Sequence, residues 1–379
     1  MKILLLDTNV SSYPIFQYLN NIGADVYVVG NNDNDFLAKI SSNFVKLNYS
    51  DIESLTFYLR NNDFDYIVPG CNDVSYDAYV KLSCNGFGFH TDSIDVNLKL
   101  NDKVEFNNLA IKNHLKHPKS YALHDKINFD IPKIIKPADS YSGKGISIIS
   151  SEGEIDSAYC NALSNSPSGK VVIQDFIQGQ LFSHSAFIRD RKVVLDFVVQ
   201  EDCTINPFAV DTSRVLQIDD NLLNIIRSNV NALAEDLNLS DGLFHSQFIL
   251  QCDVPWFIEV TRRCPGDLYS LLIERSTGIR YAELYTNTFI DIDSVFPKQY
   301  SIKPIIRSSI KSNVSRTFAG IKICSSFEGF EFYPIKSYGD IIDPNKGDRV
   351  GILFLSFDNL LDLDVCYEKF LANNAVVIL

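Results

Sequence analysis

The sequence predicts a mixed α/β protein that begins with a parallel, doubly wound sheet and continues with antiparallel strand pairs. Over about the first 95 residues, short apolar runs alternate with helical patterns, as in a parallel sheet whose strands are joined by helices. Two later pairs of apolar runs, within 134–149 and 244–263, are each joined by a short segment and indicate antiparallel hairpins. A chain of 379 residues is too long for one ordinary core, so roughly two to four lobes are expected.

The strands of the first sheet are predicted at 2–7, 25–30, 44–47 and 66–69. A helical pattern after the first strand ends at Gly23, and Asp51 is placed to cap a helix before the fourth strand. Ligands of such sheets lie beyond the carboxyl ends of the strands, where polar residues follow here. These candidate substrate contacts, for which turn formation is the stronger explanation, are Thr8, Asn9, Asn72 and Asp73.

The middle of the chain alternates in the same way. Helices are predicted at 101–115, where Lys103 has the pattern of a solvated lysine, and near 155–163. Strands are predicted from 171 and at 192–199, and the apolar stripe of an amphipathic helix at 221–237 is assigned to core packing. After about residue 300, short strands and scattered glycines indicate a small β-rich lobe.

Composition limits the class of protein. With 46% apolar and 21% charged residues the chain is globular, and a formal charge of −13 argues against nucleic acid held by bulk electrostatics. The longest apolar runs fall short of the roughly 18 residues that a membrane span needs, and the start lacks the apolar stretch of a signal peptide. The eight cysteines are scattered without a zinc-like spacing, which is typical of reduced thiols in a cytoplasmic protein.

The loop of the hairpin at 134–149 has the chemistry of a polyphosphate site. It carries two lysines, a serine and two glycines, so that backbone N–H groups and ammonium groups can meet a phosphate closely. These residues are Lys136, Ser142, Gly143, Lys144 and Gly145. A surface hairpin with solvated lysines explains the loop alone about equally well. A P-loop and a dinucleotide fingerprint are excluded, because neither set of glycines is present.

Two further segments carry candidate chemistry. The strand from 171 leads through Phe176 and Ile177 to Gly179, where free backbone groups could hydrogen-bond an adenine edge; an ordinary strand end is the alternative. On the hairpin at 244–263, Gln247 and Glu259 share a face if an odd loop such as 251–255 sets the register. An amide, a carboxylate and the Thr261 hydroxyl on that face suit Mg²⁺, although a polar face with an ordinary salt bridge is the simpler explanation without the glycine loop.

Taken together and in order, these motifs resemble those of the ATP-grasp superfamily over most of the chain. The segment 136–145, Lys-Pro-Ala-Asp-Ser-Tyr-Ser-Gly-Lys-Gly, is similar to the family's second phosphate-binding lysine and its glycine loop. Lys103 lies where the family's first phosphate-binding lysine is usual. The resemblance implies that ATP is bound by Lys103, Lys136, Ser142, Gly143, Lys144, Gly145, Gln174, Asp175, Phe176 and Ile177. It implies Mg²⁺, or Mn²⁺, on Gln247, Glu259 and Thr261, with Arg263 and Lys144 in catalysis and Arg262, Asp267 and His184 as substrate contacts.

The resemblance also implies an architecture. It comprises a Rossmann-like preATP-grasp domain (1–97), an ATP-grasp domain in two lobes (98–178 and 179–296) and the small β-rich C-terminal lobe (297–379). Three positions depart from the family pattern. Gln247 and Thr261 stand where Glu and Asn are usual, and Leu181 stands where an acidic residue commonly contacts ribose. Because Gln247 lacks the charge of the usual Glu, metal binding should be weaker.

The function implied is an ADP-forming ligase that joins a carboxylate to an amine through an acyl phosphate. Its partners would be ATP and small-molecule substrates, with no nucleic acid and no membrane, in a cytoplasmic protein; a homodimer is compatible with the resemblance. Phosphotransfer or thioester formation on the same scaffold is an alternative. A nucleotide-binding or regulatory protein without catalysis is another, motivated by the departures at Leu181, Gln247 and Thr261.

Overall fold

The structure is a computed structural model that describes residues 1–88, 91–139, 143–344 and 347–379, and every element given below belongs to this part of the chain. Ser142, one of the predicted ATP-binding residues, lies outside the described residues. No helix among the described residues is long and apolar enough to cross a bilayer. All eight cysteines carry free thiols.

The first domain is the predicted parallel sheet. Its strands are β1 (Lys2–Leu6), β2 (Asp25–Gly30), β3 (Phe44–Lys46) and β4 (Tyr66–Pro69), in the order β3-β2-β1-β4. Its helices are α1 (Tyr13–Asn21), α2 (Phe36–Ile40), α3 (Ile52–Arg60) and α4 (Asp73–Cys84). Asp51 caps α3, as its position indicated, because its carboxylate accepts a hydrogen bond from the Ser54 N–H.

The helix predicted at 101–115 is confirmed over a shorter range, and a separate helix that was not predicted precedes it. The preceding helix is α5 (Ile94–Asn101), and the confirmed one is α6 (Lys103–Lys112). They are separated because Asp102 is extended (ψ 121°) and its carboxylate accepts from the N–H groups of Val104 and Glu105, which starts a new helix. The predicted domain boundary at residue 97 therefore falls inside α5.

The hairpin with the glycine loop belongs to a small four-stranded sheet, ordered β5-β8-β6-β7. Its strands are β5 (Ser120–Tyr121), β6 (Lys133–Pro137), β7 (Ser147–Ile149) and β8 (Val171–Asp175), covered by α7 (Ile155–Ser164). The pairing of β6 with β7, with Ile135 opposite Ser147, confirms the predicted hairpin.

The largest sheet in the described residues has eight strands, in the order β13-β12-β9-β10-β11-β14-β19-β17. Its first five strands in the chain are β9 (Gln180–Arg189), β10 (Lys192–Asp202), β11 (Thr212–Leu216), β12 (Gly242–Gln251) and β13 (Val254–Thr261). Helix α8 (Asp220–Asp236) packs on one face. Helices α9 (Tyr269–Thr277) and α10 (Tyr281–Asn287) pack between the other face and the first domain.

The region after residue 300 contributes β14, β17 and β19 to this large sheet, and its other strands form two small sheets, β15-β18 and β16-β20. Its strands are β14 (Ile305–Lys311), β15 (Arg316–Thr317), β16 (Ile321–Ile323), β17 (Gly329–Pro334), β18 (Ile341–Ile342), β19 (Arg349–Ser356) and β20 (Val376–Ile378), with α11 (Leu360–Leu371) before β20. β14 pairs with β11, and β19 joins β14 to β17. The predicted β-rich lobe thus shares a sheet with the lobe before it.

The β12–β13 hairpin has the predicted facing pair but not the predicted loop. Its turn is only Cys252 and Asp253, both left-handed (φ 49° and 61°), with Gln251 opposite Val254. Continued without a break, that register would place Gln247 opposite residue 258. A β-bulge between Gln247 and Phe248 shifts the pairing by one residue, so Gln247 lies opposite Glu259.

Candidate functional site

Two of the predicted phosphate-binding lysines lie close together near the end of strand β6 in the small sheet. Lys136 is on β6, and Lys103, at the start of α6, donates through Nζ to the Ala138 carbonyl over 3.2 Å. Burial and the charge of Lys103 together lower the pKa of Lys136 to about 8, against the opposing effect of the charge of Glu259. Glu259 is on β13 of the large sheet, so the electrostatic effect on Lys136 joins residues of the two sheets.

The low pKa of Lys136 predicts a pH-dependent nucleotide affinity. Below about pH 8 the lysine is charged and attracts phosphates; above it the proton is lost, so the affinity for a polyanion falls as the pH rises. We expect the affinity for a non-hydrolysable ATP analogue to fall about tenfold between pH 7 and 9.5. This is the effect on affinity if analogue binding shifts the pKa of Lys136 by about one unit.

The matched variant for this prediction is Lys136→Arg. An arginine keeps its charge throughout this range, so the variant should bind the analogue with little pH dependence. Isothermal titration of both proteins from pH 7 to 9.5 is the measurement. Parallel profiles for the two proteins would assign the pH dependence to another group.

The glycine loop packs against the segment that joins β10 to β11. Gly143 and Gly145 are left-handed (φ 73° and 72°), and a Cβ at Gly143 would lie 2.7 Å from the Cβ of Phe208. Glycine is therefore required at 143 both by conformation and by space. Lys144, between the two, is exposed.

The side chains of the predicted adenine segment are used inside the small sheet. Gln174 is 1% exposed, and its Nε2 lies 2.9 Å from His117 Nε2 and 3.1 Å from Ser120 Oγ. Asp175 Oδ1 accepts from the buried Lys133 Nζ at 2.8 Å. Both side chains thus have partners within the protein, and their part in nucleotide binding stays a prediction. The adenine contact stays a prediction for the backbone of Phe176 and Ile177, in the link between β8 and β9.

The predicted metal face fits an oxygen-binding cation in two of its three residues. Gln247 and Glu259 are directly opposite on neighbouring strands, so both side chains project from the same face, and Glu259 is exposed. An amide oxygen and a carboxylate are suitable for Mg²⁺, which keeps several waters. Thr261 fits less well, because it is buried and its Oγ1 accepts from the Arg263 N–H at 3.4 Å. In the described part of the chain no group of three His, Cys, Asp or Glu side chains could hold a metal.

Arg263 links the end of β13 to the first domain. Its Nε and Nη2 donate to the two carboxylate oxygens of Asp73, at 2.5 and 3.0 Å, in a bidentate pair. Burial would lower the pKa of Arg263, but the charge of Asp73 outweighs it and the pKa is raised; in the same way, the pair lowers the pKa of Asp73 against the effect of burial. Of the four polar residues predicted after the first-domain strands, Asp73 is the one that contacts a predicted catalytic residue.

The other three are explained by local structure. Thr8 donates to Asp35, Asn9 accepts from the Ser11 N–H, and Asn72 caps α4 by accepting from the Ser75 N–H.

A comparison with known protein families identifies the domain that carries the predicted phosphate-binding lysines and metal ligands. Residues 100–266 match the family model described as ATP-grasp domain. Residues 100–266 of this chain are an ATP-grasp domain.

Relatives of this ATP-grasp protein cover nearly its whole length. A formate-dependent phosphoribosylglycinamide formyltransferase from Prochlorococcus marinus is 23% identical, over 95% of this chain and 93% of that protein. Among solved structures, an L-amino acid ligase from Bacillus licheniformis matches with a TM-score of 0.80 at 15% identity, covering 100% of this chain and 98% of that one. A phosphoribosylglycinamide synthetase from Anaerococcus prevotii matches with a TM-score of 0.77 at 16% identity, covering 100% and 99%. At these identities the structural matches establish the fold.

Two predicted substrate contacts lie elsewhere in the ATP-grasp fold. His184 is fully buried and bonded through Nε2 to Asp196 at 2.9 Å, on the face of the sheet covered by α8. Arg262 is 4% exposed and bonded to Asp92 at 2.8 Å and to the Ser240 carbonyl. Successive residues of a strand face opposite ways, so these two alternate with Ser183 and Arg263. The role of His184 and Arg262 in substrate binding stays a prediction.

The third predicted substrate contact, Asp267, lies where the first domain, α9 and the last strands meet. It is left-handed (φ 55°), its N–H donates to Ser11 Oγ at 2.9 Å, and its carbonyl accepts from Arg307 at 2.9 Å. Its carboxylate accepts from Ser309 at 3.2 Å and pairs with Arg349. Its role in substrate binding stays a prediction.

A row of polar side chains across the large sheet was missed from the sequence. Next to Gln247, Glu201 is 4% exposed and accepts from Gln247 Nε2 at 2.7 Å and from Ser183 Oγ at 3.0 Å. The row continues through Ser213, which accepts from Arg307 Nε at 2.8 Å. The acidic residues that follow the apolar run at 192–199 indicated a polar continuation of this strand. The predicted strand ended two residues before Glu201 and so did not include it.

Proposed function

We propose that this ATP-grasp protein is an ATP-dependent, ADP-forming ligase that joins a carboxylate to an amine through an acyl phosphate. The observation that carries the proposal is the convergence of charges from three distant parts of the chain. The electrostatic effects of Lys103 and Glu259 both reach Lys136, and Glu259 also acts on Arg263. Cations that face a metal-binding carboxylate are suited to a transferring phosphoryl group. The names of two solved relatives, a ligase and a synthetase, support the same class.

In the first step, an oxygen of the substrate carboxylate attacks the γ-phosphorus of ATP. The new O–P bond forms as the bond to the β-phosphate oxygen breaks, and ADP leaves. Lys103 and Lys136 would hold the phosphates, and Arg263 would stabilise the negative charge on the transferring group. Mg²⁺ on Gln247 and Glu259 would neutralise phosphate charge when bound. Arg263 would have to leave Asp73, or share its guanidinium with the phosphate, for this contact.

In the second step, the amine attacks the acyl carbon. A C–N bond forms, the C–O bond to phosphate breaks, and the proton released by the amine leaves with phosphate or water. The acceptor side of the site would lie near Asp267, whose carboxylate is held by Arg349 and Ser309. A cavity of about 610 Å³ beside Arg349 is also lined by Lys39 of the first domain and Lys336, and it is large enough for a small metabolite.

The test is to incubate the purified protein with Mg²⁺, ATP and pools of carboxylates and amines while ADP and phosphate are measured. Release that needs both a carboxylate and an amine establishes the ligase, and division of the pools names the substrates. Release with a carboxylate alone, or with a thiol in place of the amine, would favour phosphotransfer or thioester formation. ATP binding without release in any pool would favour a non-catalytic nucleotide-binding protein.

A further inference from the structure

Gln247 departs from the family pattern by lacking a charge, and the structure places a buried carboxylate directly beside it. Glu201 on β10 is separated from β12 by the single strand β9, and its Oε2 accepts from Gln247 Nε2 at 2.7 Å. A carboxylate of this kind can only accept, so the NH₂ group of the amide must face Glu201. The amide oxygen therefore points away from Glu201.

The other oxygen of Glu201 is fixed as well. Its Oε1 accepts from Ser183 Oγ at 3.0 Å, and that hydroxyl lies 3.0 Å from the hydroxyl of Tyr269 on α9. Ser183 is directly opposite Gln247 in the pairing of β9 with β12. Glu201 is thus held at both oxygens and is not available as a direct ligand, whereas within the described chain no residue donates to the oxygen of Gln247.

Burial raises the pKa of Glu201, and the charge of Arg307 on its far side opposes this shift, as do the hydrogen bonds from Gln247 and Ser183. Arg307 is 2% exposed and interacts electrostatically with Glu201, while its own guanidinium donates to Ser213 and to the Asp267 carbonyl. Glu201 therefore has a buried cation at one end and the Gln247 amide at the other. Its charge also reaches Glu259, which is across from Gln247.

We propose that Glu201 is a positioning residue that compensates for the missing carboxylate at 247. It turns the Gln247 amide so that the oxygen faces the cation held by Glu259, and it polarises that amide, bringing a negative charge within one hydrogen bond of the ligand. The inference rests on the metal-binding half of the proposed function. Residues that orient a metal ligand in this way typically affect metal affinity by about 10- to 100-fold.

The experiment is a double-mutant cycle on Glu201→Gln and Gln247→Glu, read by Mn²⁺ binding and not by turnover. Free Mn²⁺ is titrated by electron paramagnetic resonance in the presence of a non-hydrolysable ATP analogue, and each variant is checked by thermal unfolding. Glu201→Gln should weaken Mn²⁺ binding by about tenfold or more. The exchanged pair should restore it, because the charge and the hydrogen bond between positions 201 and 247 are both kept.

The coupling between the two positions decides the proposal. Gln247→Glu should improve Mn²⁺ binding about tenfold more in the Glu201→Gln background than in the unchanged protein, where it places two carboxylates side by side. The matched control is Glu331→Gln on β17, a carboxylate of the same sheet bonded to Arg275 and Tyr333, which should leave Mn²⁺ binding unchanged.

Several results would overturn the proposal: unchanged Mn²⁺ affinity in folded Glu201→Gln, independent effects of the two substitutions, or no Mn²⁺ bound by the unchanged protein with the analogue. Failure of the ligase reaction is a separate outcome. If the cycle shows the expected coupling while no pool of substrates releases ADP, Glu201 keeps its assigned role and the ligase proposal alone is wrong.

Discussion

Glu259→Gln is expected to lower the rate of ADP release by about 100- to 1,000-fold, the usual range for loss of one group that stabilises transition-state charge. Glu259 is exposed on the site face, directly opposite Gln247, and its charge acts on both Lys136 and Arg263. The substitution would leave two neutral amides facing each other. The rate is measured with saturating ATP and Mg²⁺ and the substrates found in the pools.

The control for Glu259→Gln is Glu235→Gln. Glu235 is an exposed carboxylate at the end of α8, paired with Lys192, so the same chemical change there removes only a surface ion pair. Its rate should match that of the unchanged protein. A rate for Glu259→Gln within threefold of the unchanged protein would show that the carboxylate is not part of the phosphoryl-transfer site.

Arg262→Met is expected to destabilise the fold by about 3–5 kcal/mol, because it leaves Asp92 buried with its charge uncompensated. The side chains of Arg262 and Asp92 are only 4% and 3% exposed, and the guanidinium also donates to the carbonyls of Ser240 and Asp241. This cluster joins the segment before α5 to the end of β13. Chemical unfolding measures the change in the free energy of unfolding.

Arg280→Met is the matched comparison. Arg280 makes an i,i+3 pair with Glu283 at the protein surface, so its loss should cost less than about 1 kcal/mol. Nucleotide affinity of Arg262→Met, measured where the variant is folded, should be unchanged. An intact free energy of unfolding with lost substrate binding would support Arg262 as a substrate contact, as its position in the motif had predicted.

The strand periodicity of the sequence predicted the shared face of Gln247 and Glu259 only on the condition that an odd loop sets the register. Gln247 and Glu259 share a face in both the prediction and the structure, since side chains alternate along a strand. The route to that pairing could not be predicted. Cys252 and Asp253 form a tight left-handed turn without the Asn-Gly signal typical of one, and the bulge at Gln247 then corrects the register.

The contacts that the sequence did not predict share one cause, which is that they join parts of the chain that are distant in sequence. Asp73 and Arg263 are 190 residues apart, and Glu201 and Gln247 are 46 apart, so no local pattern could join them. His184 looked suitable for chemistry, but its face follows from the pairing of Ser183 with Gln247, which the sequence alone does not specify. The periodicity of the sequence indicates which side chains of one hairpin share a face. Which residues of different hairpins lie together depends on the order of the strands in the sheet.

The continuity of the large sheet has a mechanical consequence. β13, which carries Glu259, and β19, which begins with Arg349, belong to one hydrogen-bonded ladder, whereas the glycine loop is on a separate small sheet. Any relative movement of β13 and β19 would have to shear that ladder. The small sheet meets the large one through fewer bonds, at the chain segments near 113–119 and 176–179, and we expect movement there instead. Stiffness is thus concentrated in the part that would set the distance between phosphate and acceptor. Spin labels on β13 and β19 should keep their separation when nucleotide binds, while a label on β7 moves towards both.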